Sequence, residues 1–316
     1  MIPWLLAVSQ SDAKPAAPKP SDADNFWRNM IDPHGEQVTQ VIAKALDTMQ
    51  QPDNFVLWAG DADWVDQRAR YYRDALNLLR YARSLSPDNI QVLALFARAA
   101  DELGRTREAL GALEACVRIA GPDQVAPGVA GQLGAIYLRM GDRDAGIRWL
   151  HRAQGPIATS GVPLVQLANA LAAGGDVIAA IDMLRDALGT TVYAPETSLV
   201  AFSLAVIYDR DEQRGAAFEV LEHMQTSLQQ QYLQQVRNEL RKVRFAPAED
   251  AFYYEALLYE SLGYYAEARA QWAHYATSGD SAWRGRALDH IAAIDAERRA
   301  TAAKPAPRPV PARGTP

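Results

Sequence analysis

The chain has 316 residues, 49% of them apolar and 22% charged, enough hydrophobic material for a sizeable core and too much for wholesale disorder. Its formal net charge of −6 argues against nucleic-acid binding, which needs a concentrated basic face. Cys116 is the only cysteine, so a disulfide framework and a cysteine-based zinc or iron–sulfur site are both excluded.

In chain order, residues 2–8 come first as an apolar run, with the small residues Ala7 and Ser9 at cleavage spacing. Two readings stay open. The run is the remnant of a secretory signal, which puts the protein in the periplasm or cell envelope, or it is an ordinary N-terminus of a cytoplasmic protein. It stands at the lower length limit of a signal core, and no Lys or Arg precedes it. The Pro- and Lys-bearing stretch 14–20 reads as a linker, so residues 1–24 stand apart from a folded region spanning 25–300. No run approaches the ~20 apolar residues of a membrane-crossing helix.

The first predicted helix covers 36–50, carrying Val38, Val41, Ile42, Ala45, Leu46 and Met49 on one face. A long loop over 51–63 is expected next, then a helix over 64–86. From here the prolines are informative. Ten of the eighteen lie toward the two ends, and six form a series: Pro52, Pro87, Pro122, Pro156, Pro195 and Pro247. The early members recur at roughly 34-residue spacing, which suggests repeated helical units each closed by a stop. Pro127 and Pro163 are read as lying near helix starts, where proline is tolerated.

Between these stops the apolar residues keep the helical period, and each unit divides at a short turn. The turns fall at Gly104-Arg105, Gly141-Asp142, Gly175-Asp176, 209–213 and Gly263-Tyr264. A small residue recurs in each second helix (Ala75, Ala109, Gly146, Ala180, Ala217, Ala268), with a large apolar one four positions later (Leu79, Leu113, Leu150, Leu184, Leu221, Trp272). Small residues let helices approach and the large neighbours fill the groove. Gly146 in place of alanine costs about 1 kcal/mol of helix propensity, and Gly128, Gly131 and Gly134 weaken a first helix in the same way.

This pattern resembles the tetratricopeptide repeat (TPR) superfamily. The third unit carries Leu133-Gly134-x2-Tyr137, Gly141-Asp142, Leu150 and Ala153. The sixth carries Phe252-x3-Ala256-x2-Tyr259, Gly263 and Ala268-x3-Trp272, and the fifth Leu204-Ala205-x2-Tyr208 and Ala217-x3-Leu221. Five copies stand in register over 89–280. The resemblance implies an all-α, right-handed α-solenoid of about six helix-turn-helix units.

The spacing between the fifth and sixth units leaves room for one inserted helix. It falls over 225–244 within an insert of 225–246, with Leu228, Tyr232, Val236, Leu240 and Val243 on one stripe. A capping helix is expected over 281–299, carrying Trp283, Ala287, Leu288, Ile291 and Ile294, because the last unit of a solenoid has an uncovered face. Residues 301–316, rich in Pro, Ala and Arg, read as a disordered tail.

Catalytic and ligand motifs are few. Gly279-Asp280-Ser281 lacks the preceding strand of a nucleophile elbow, and its acid caps the final helix more simply. No two of the five histidines are spaced i, i+4, the glycines of 128–134 are not a dinucleotide fingerprint, and there is no P-loop. Cys116 falls on an apolar helix face and reads as a core residue. No cofactor and no metal are called for, and the chain is not read as an enzyme.

The resemblance implies that first helices line a groove that receives a peptide or helix. Alignment of the units places Arg98, Ala135, Leu138, Val165, Asn169, Phe202, Val206, Tyr253 and Leu257 there, together with Asp101, Asp209, Asp250 and Glu260. With no lysine in this set and Arg98 its only strong cation, the chaperone-tail clamp of the family is not matched. The apolar middle of the strip either meets a partner or is covered by the chain's own insert. The leading expectation is a non-enzymatic interaction scaffold binding a protein or peptide, in a bacterial envelope assembly. The alternatives are a self-assembling homo-oligomer built through the 225–244 helix and an enzyme or accessory domain on a helical-repeat scaffold.

Overall fold

A computed structural model describes residues 33–55, 61–154, 157–189 and 197–302. The residues 1–24 and most of 301–316, and with them the signal, linker and tail readings, lie outside the described residues, as do Pro156 and Pro195. Among the described residues the regular structure is entirely helical. Six antiparallel pairs follow one another: α1 (Gly35–Phe55) with α2 (Asp61–Leu85), α3 (Ile90–Glu102) with α4 (Thr106–Ala120), and α5 (Pro127–Arg139) with α6 (Arg143–Arg152). Then come α7 (Ile157–Ala173) with α8 (Val177–Leu188), α9 (Ser198–Arg210) with α10 (Arg214–Leu228), and α12 (Asp250–Ser261) with α13 (Tyr265–Ser278). A single turn of 3-10 helix (Gln229–Gln231) and α11 (Tyr232–Leu240) are inserted before the sixth pair, and α14 (Arg284–Ala302) closes the stack. Each helix packs on its pair-mate, α5 lies beside α7 and α7 beside α9, and each second helix touches the first helix of the next pair as far as α9. The described residues form an α-solenoid of six helix-turn-helix units with an insert and a cap.

The five turns within units two to six are built alike. The residue in the left-handed region is Gly104, Gly141, Gly175 or Gly263, and in the fifth unit Glu212. The next backbone N–H reaches back to the first helix each time: Asp142 to the Tyr137 carbonyl at 3.0 Å, Asp176 to Leu171 at 3.0 Å, Gln213 to Tyr208 at 2.9 Å and Tyr264 to Tyr259 at 2.9 Å. This satisfies a carbonyl that the helix end would leave orphaned. The small–large series is buried throughout, from Ala75 and Leu79 to Ala268 and Trp272. Cys116 is buried, its thiol directed at the Ile90 carbonyl.

Three boundaries differ from expectation. α1 runs on to Phe55 and contains Pro52, and α2 begins at Asp61, so residues 51–55 and 61–63 of the expected loop are helical. A proline in the last turn forfeits only one intrahelical bond, and Pro52 is buried against the core. Pro163 sits well inside α7 rather than at its start. The inserted helix is shorter than 225–244: residues 225–228 belong to α10, the chain breaks at Gln229, whose φ is 49°, and α11 spans only Tyr232–Leu240. In the cap, Trp283, Ala287 and Ile294 are buried as expected but Leu288 is exposed.

The glycines of the third unit also have a purpose that helix propensity hides. A Cβ on Gly134 would stand 2.5 Å from the Leu150 Cγ and 3.0 Å from the Gly146 carbonyl oxygen. A Cβ on Gly146 would meet the Leu138 side chain at 2.5 Å. α5 and α6 therefore cross at near backbone contact, and glycine is required on both sides. Gly134→Ala is expected to lower stability by about 1–3 kcal/mol, outweighing the propensity gain of about 1 kcal/mol. A rise in the urea midpoint of the variant would refute the close crossing.

Candidate functional site

α3, α5, α7, α9 and α12 carry the positions that the repeat alignment assigns to the inner face, and α5 packs on α7, α7 on α9 and α9 on α12. The two halves of this face have different fates. α9 carries Leu199, Val200, Ala201, Phe202, Leu204, Ala205, Val206 and Ile207 with hardly a polar residue between them, and all are buried. A helix apolar on every side needs cover on every side. α7, α8, α10 and α12 supply part of it, and the insert supplies the rest. Tyr232, Val236, Leu240 and Val243 of the insert pack into the same core as Phe202 and Val206. Phe245 packs against Tyr254 with ring centroids 4.7 Å apart and the planes tilted by 47°.

The groove expected at Val165, Asn169, Phe202, Val206, Tyr253 and Leu257 is therefore filled: each of these residues is buried. The insert's apolar stripe, which self-assembly through residues 225–244 would use, is spent inside the chain's own core. The physical reason is that an apolar strip is covered by whatever surface is nearest, and here the tethered insert is nearer than any partner.

The polar residues placed on this strip form a buried ionic network. Arg210, at the end of α9, donates to Asp250 Oδ1 at 2.7 Å and to Asn169 Oδ1 at 3.0 Å. Its guanidinium lies over the Trp283 ring, 4.1 Å from the centroid. Asp209, one residue earlier, accepts from Tyr253 Oη at 2.7 Å and pairs with Arg286 of α14. His290 of α14 bridges Asp209, at 2.9 Å from Nε2, and Glu260, at 3.0 Å from Nδ1. The imidazole stacks on Trp272, whose indole N–H donates to Glu260 at 2.7 Å. Burial alone would lower the His290 pKa, but hydrogen bonds to the two carboxylates push it up to about 9. Burial would likewise raise Asp209, yet His290, Arg286 and Tyr253 hold it well below the usual carboxylate range. The network ties the cap to units five and six, and every one of its charges is spent on a neighbour.

The N-terminal half of the inner face stays open. A cavity of about 480 Å³ is bounded by α2, α3, α5, α7 and the insert. Arg98 and Ala135 line it, Arg98 exposed and Ala135 half-buried; Leu138, also half-buried, is not in its lining and packs toward Gly146 of α6. Of the nine residues assigned to the groove, these three keep access to solvent. The sequence reading missed Arg68 of α2, Arg139 of α5, and Lys242 and Arg244 of the insert, all of which line the cavity. Arg244 reaches across to α3, donating to the Asp101 carbonyl at 2.9 Å and pairing with Glu102 at 2.8 Å. Gln166 of α7 donates to the Arg244 carbonyl at 3.1 Å. The insert thus forms the wall dividing the filled half from the open one. Its run of cations after the apolar stripe was visible in the sequence; its contact with residues some 143 positions earlier was not.

Among the described residues no cluster of His, Cys, Asp or Glu has the makings of a metal site, and no helix is long and apolar enough to cross a membrane. No protein-family model matches the chain, and comparison with curated proteins finds no match. Among solved structures the chain is similar to one in the APC/C hetero-tetramer Cut9-Hcn1, with a TM-score of 0.46 and 15% identity over 86% of this chain and 52% of that one. It therefore spans about half the length of that protein. It is also similar to the TPR domain of P58(IPK), with a TM-score of 0.30 and 14% identity over 90% of this chain and 72% of the other.

Proposed function

We propose that the chain is a scaffold that holds a segment of a protein partner, without chemistry of its own, in the open half of its inner face. The observation carrying this is the contrast between the two halves. The inner face of units five and six is sealed by the insert and locked by ionic pairs, while that of units two to four keeps a cavity flanked by exposed Arg98 and half-buried Ala135. Binding sites are concave, and few occur in one protein. An envelope setting rests on residues 2–8 alone, which lie outside the described residues.

The test uses a substitution that fills the cavity without touching the core. Ala135→Trp is expected to reduce recovery of partners crosslinked to the full-length protein by at least about tenfold, while Leu288→Glu on the exposed face of the cap leaves it unchanged. Phe202→Glu and Tyr253→Ala would be poor probes, because both side chains are fully buried and their loss unfolds rather than unbinds. Recovery insensitive to Ala135→Trp would remove the cavity from the reading.

A further inference from the structure

The electrostatics of the open cavity point to the chemistry of its occupant. Five cations line it, Arg68, Arg98, Arg139, Lys242 and Arg244, against two acids, Asp101 and Glu102. The acids are oversubscribed. Glu102 pairs with Arg68 at 3.0 Å and with Arg244 at 2.8 Å, while Asp101 pairs with Arg139 and stands 3.9 Å from Arg244. Lys242 meets Glu239 on the surface, and the Arg98 guanidinium donates to the neutral Tyr72 hydroxyl at 3.5 Å. With Glu239 counted beside Asp101 and Glu102, five cations face three acids, so the wall carries a surplus of two positive charges in a chain whose formal net charge is −6. The surplus is local, and the field of the whole molecule does not create it.

Two further atoms at the same wall are unsatisfied. Arg139 Nη1 is buried with no acceptor, and Gln132 Oε1 is buried with no donor. An extended segment bearing several carboxylates matches cations that stand on separate elements of the wall, Arg98 on α3 and Lys242 and Arg244 on the insert.

We infer that the cavity between α3, α5, α7 and the insert is a docking site for an acidic extended segment of a partner protein, recognised by Arg98, Arg139, Lys242 and Arg244. The inference rests on the scaffold reading above and names the chemistry of the segment. It differs from a chain-end clamp: two of the cations come from the insert rather than from the repeats, and no free C-terminus is needed.

The probe is a fluorescently labelled hexaglutamate peptide with both ends blocked, titrated against the full-length protein and read by anisotropy. Blocked hexaserine and hexalysine peptides are the comparisons. Hexaglutamate is expected to bind and the other two not. Raising the salt from about 50 to about 500 mM is expected to weaken binding at least about tenfold. Arg98→Glu and Lys242→Glu, both at solvent-exposed positions, are each expected to weaken it at least about tenfold with the helical circular dichroism unchanged.

Equal binding of hexaserine, no hexaglutamate binding into the millimolar range, or indifference to both charge reversals would overturn the inference. Competition by citrate at an equal concentration of carboxylate would overturn it too, making the site one for small anions. The two readings fail separately. If Ala135→Trp still blocks crosslinked partners while the charge reversals change nothing, the groove stands and the acidic segment falls. If the charge reversals abolish hexaglutamate binding and Ala135→Trp leaves it intact, the anion site stands without the groove.

Discussion

Replacing Arg210 by alanine is expected to destabilise the protein by about 3–5 kcal/mol, the most damaging single change considered. The side chain is wholly buried, and its partner carboxylate Asp250 is 2% exposed. Removing the guanidinium would leave Asp250 charged in the interior, with the Tyr275 hydroxyl at 3.2 Å as a remaining donor. Asn169 Oδ1 would lose one of its two donors, keeping the Tyr254 hydroxyl at 3.2 Å, and the space facing Trp283 and Tyr253 would empty. Arg210→Lys is expected to restore little, because an ammonium group cannot serve Asp250 and Asn169 together while lying flat on an indole. Arg210→Met combined with Asp250→Leu is expected to recover most of the loss, since a buried ion pair is worth little over a well-packed apolar pair. Urea midpoints of the three variants decide the matter. A loss under about 1 kcal/mol for Arg210→Ala would mean that the network does not hold α7, α9 and α12 together.

The parts of the fold encoded in short stretches of sequence were legible in advance. Turn glycines, the small residue with its large partner four positions on, and the helical period each act within one unit, and each stands where the repeat pattern puts it. The groove was legible only as a list of inward-facing positions. Val206 and Arg98 occupy comparable places in their units, and what separates them is the insert, which packs into the core of one and not the other. One signal was available. The run of apolar residues in α9 leaves no polar face, which is the mark of a helix enclosed on all sides. By the same logic Asp209 and Arg210, two opposite charges at the end of such a helix, had to find partners indoors. The partners themselves, Asp250, Arg286 and His290, lie 40 to 81 residues away, and no local pattern names them.

The closure of the C-terminal half also bears on how the open half works. Binding costs less when the site is already shaped, and the insert is fixed at both of its ends. Its apolar stripe is sunk in the core of units four to six, and Arg244 is clamped on α3. The insert therefore holds Lys242 and Arg244 at the cavity wall before any partner arrives. It gives up half of the repeat surface in exchange for a rigid, charged boundary to the other half.

The same network predicts a loss of stability on the alkaline side of neutrality. His290 has a folded-state pKa of about 9 against an ordinary value near 6.5, so between these limits the folded chain holds a proton that the unfolded chain has released. The stabilisation is complete below about pH 6.5 and is lost as the pH rises through about 9. The shift corresponds to about 3 kcal/mol, and the ring is only 4% exposed, so solvent screens it little. Asp209 works in the opposite sense. Its depressed pKa contributes stability above the ordinary carboxylate range and loses it in acid, so the pair of groups gives a plateau between about pH 4 and 6.5. The groups facing the imidazole are Asp209, Glu260 and, through Asp209, Arg286 and Tyr253. Urea unfolding at about pH 6 and about pH 9 is expected to show the loss in the wild type. His290→Gln is expected to be less stable at pH 6, because Asp209 and Glu260 lose their shared cation, and to change much less between the two values. A wild-type midpoint that is flat across this interval would show that the imidazole is neutral in the folded chain, held by the carboxylates without its second proton.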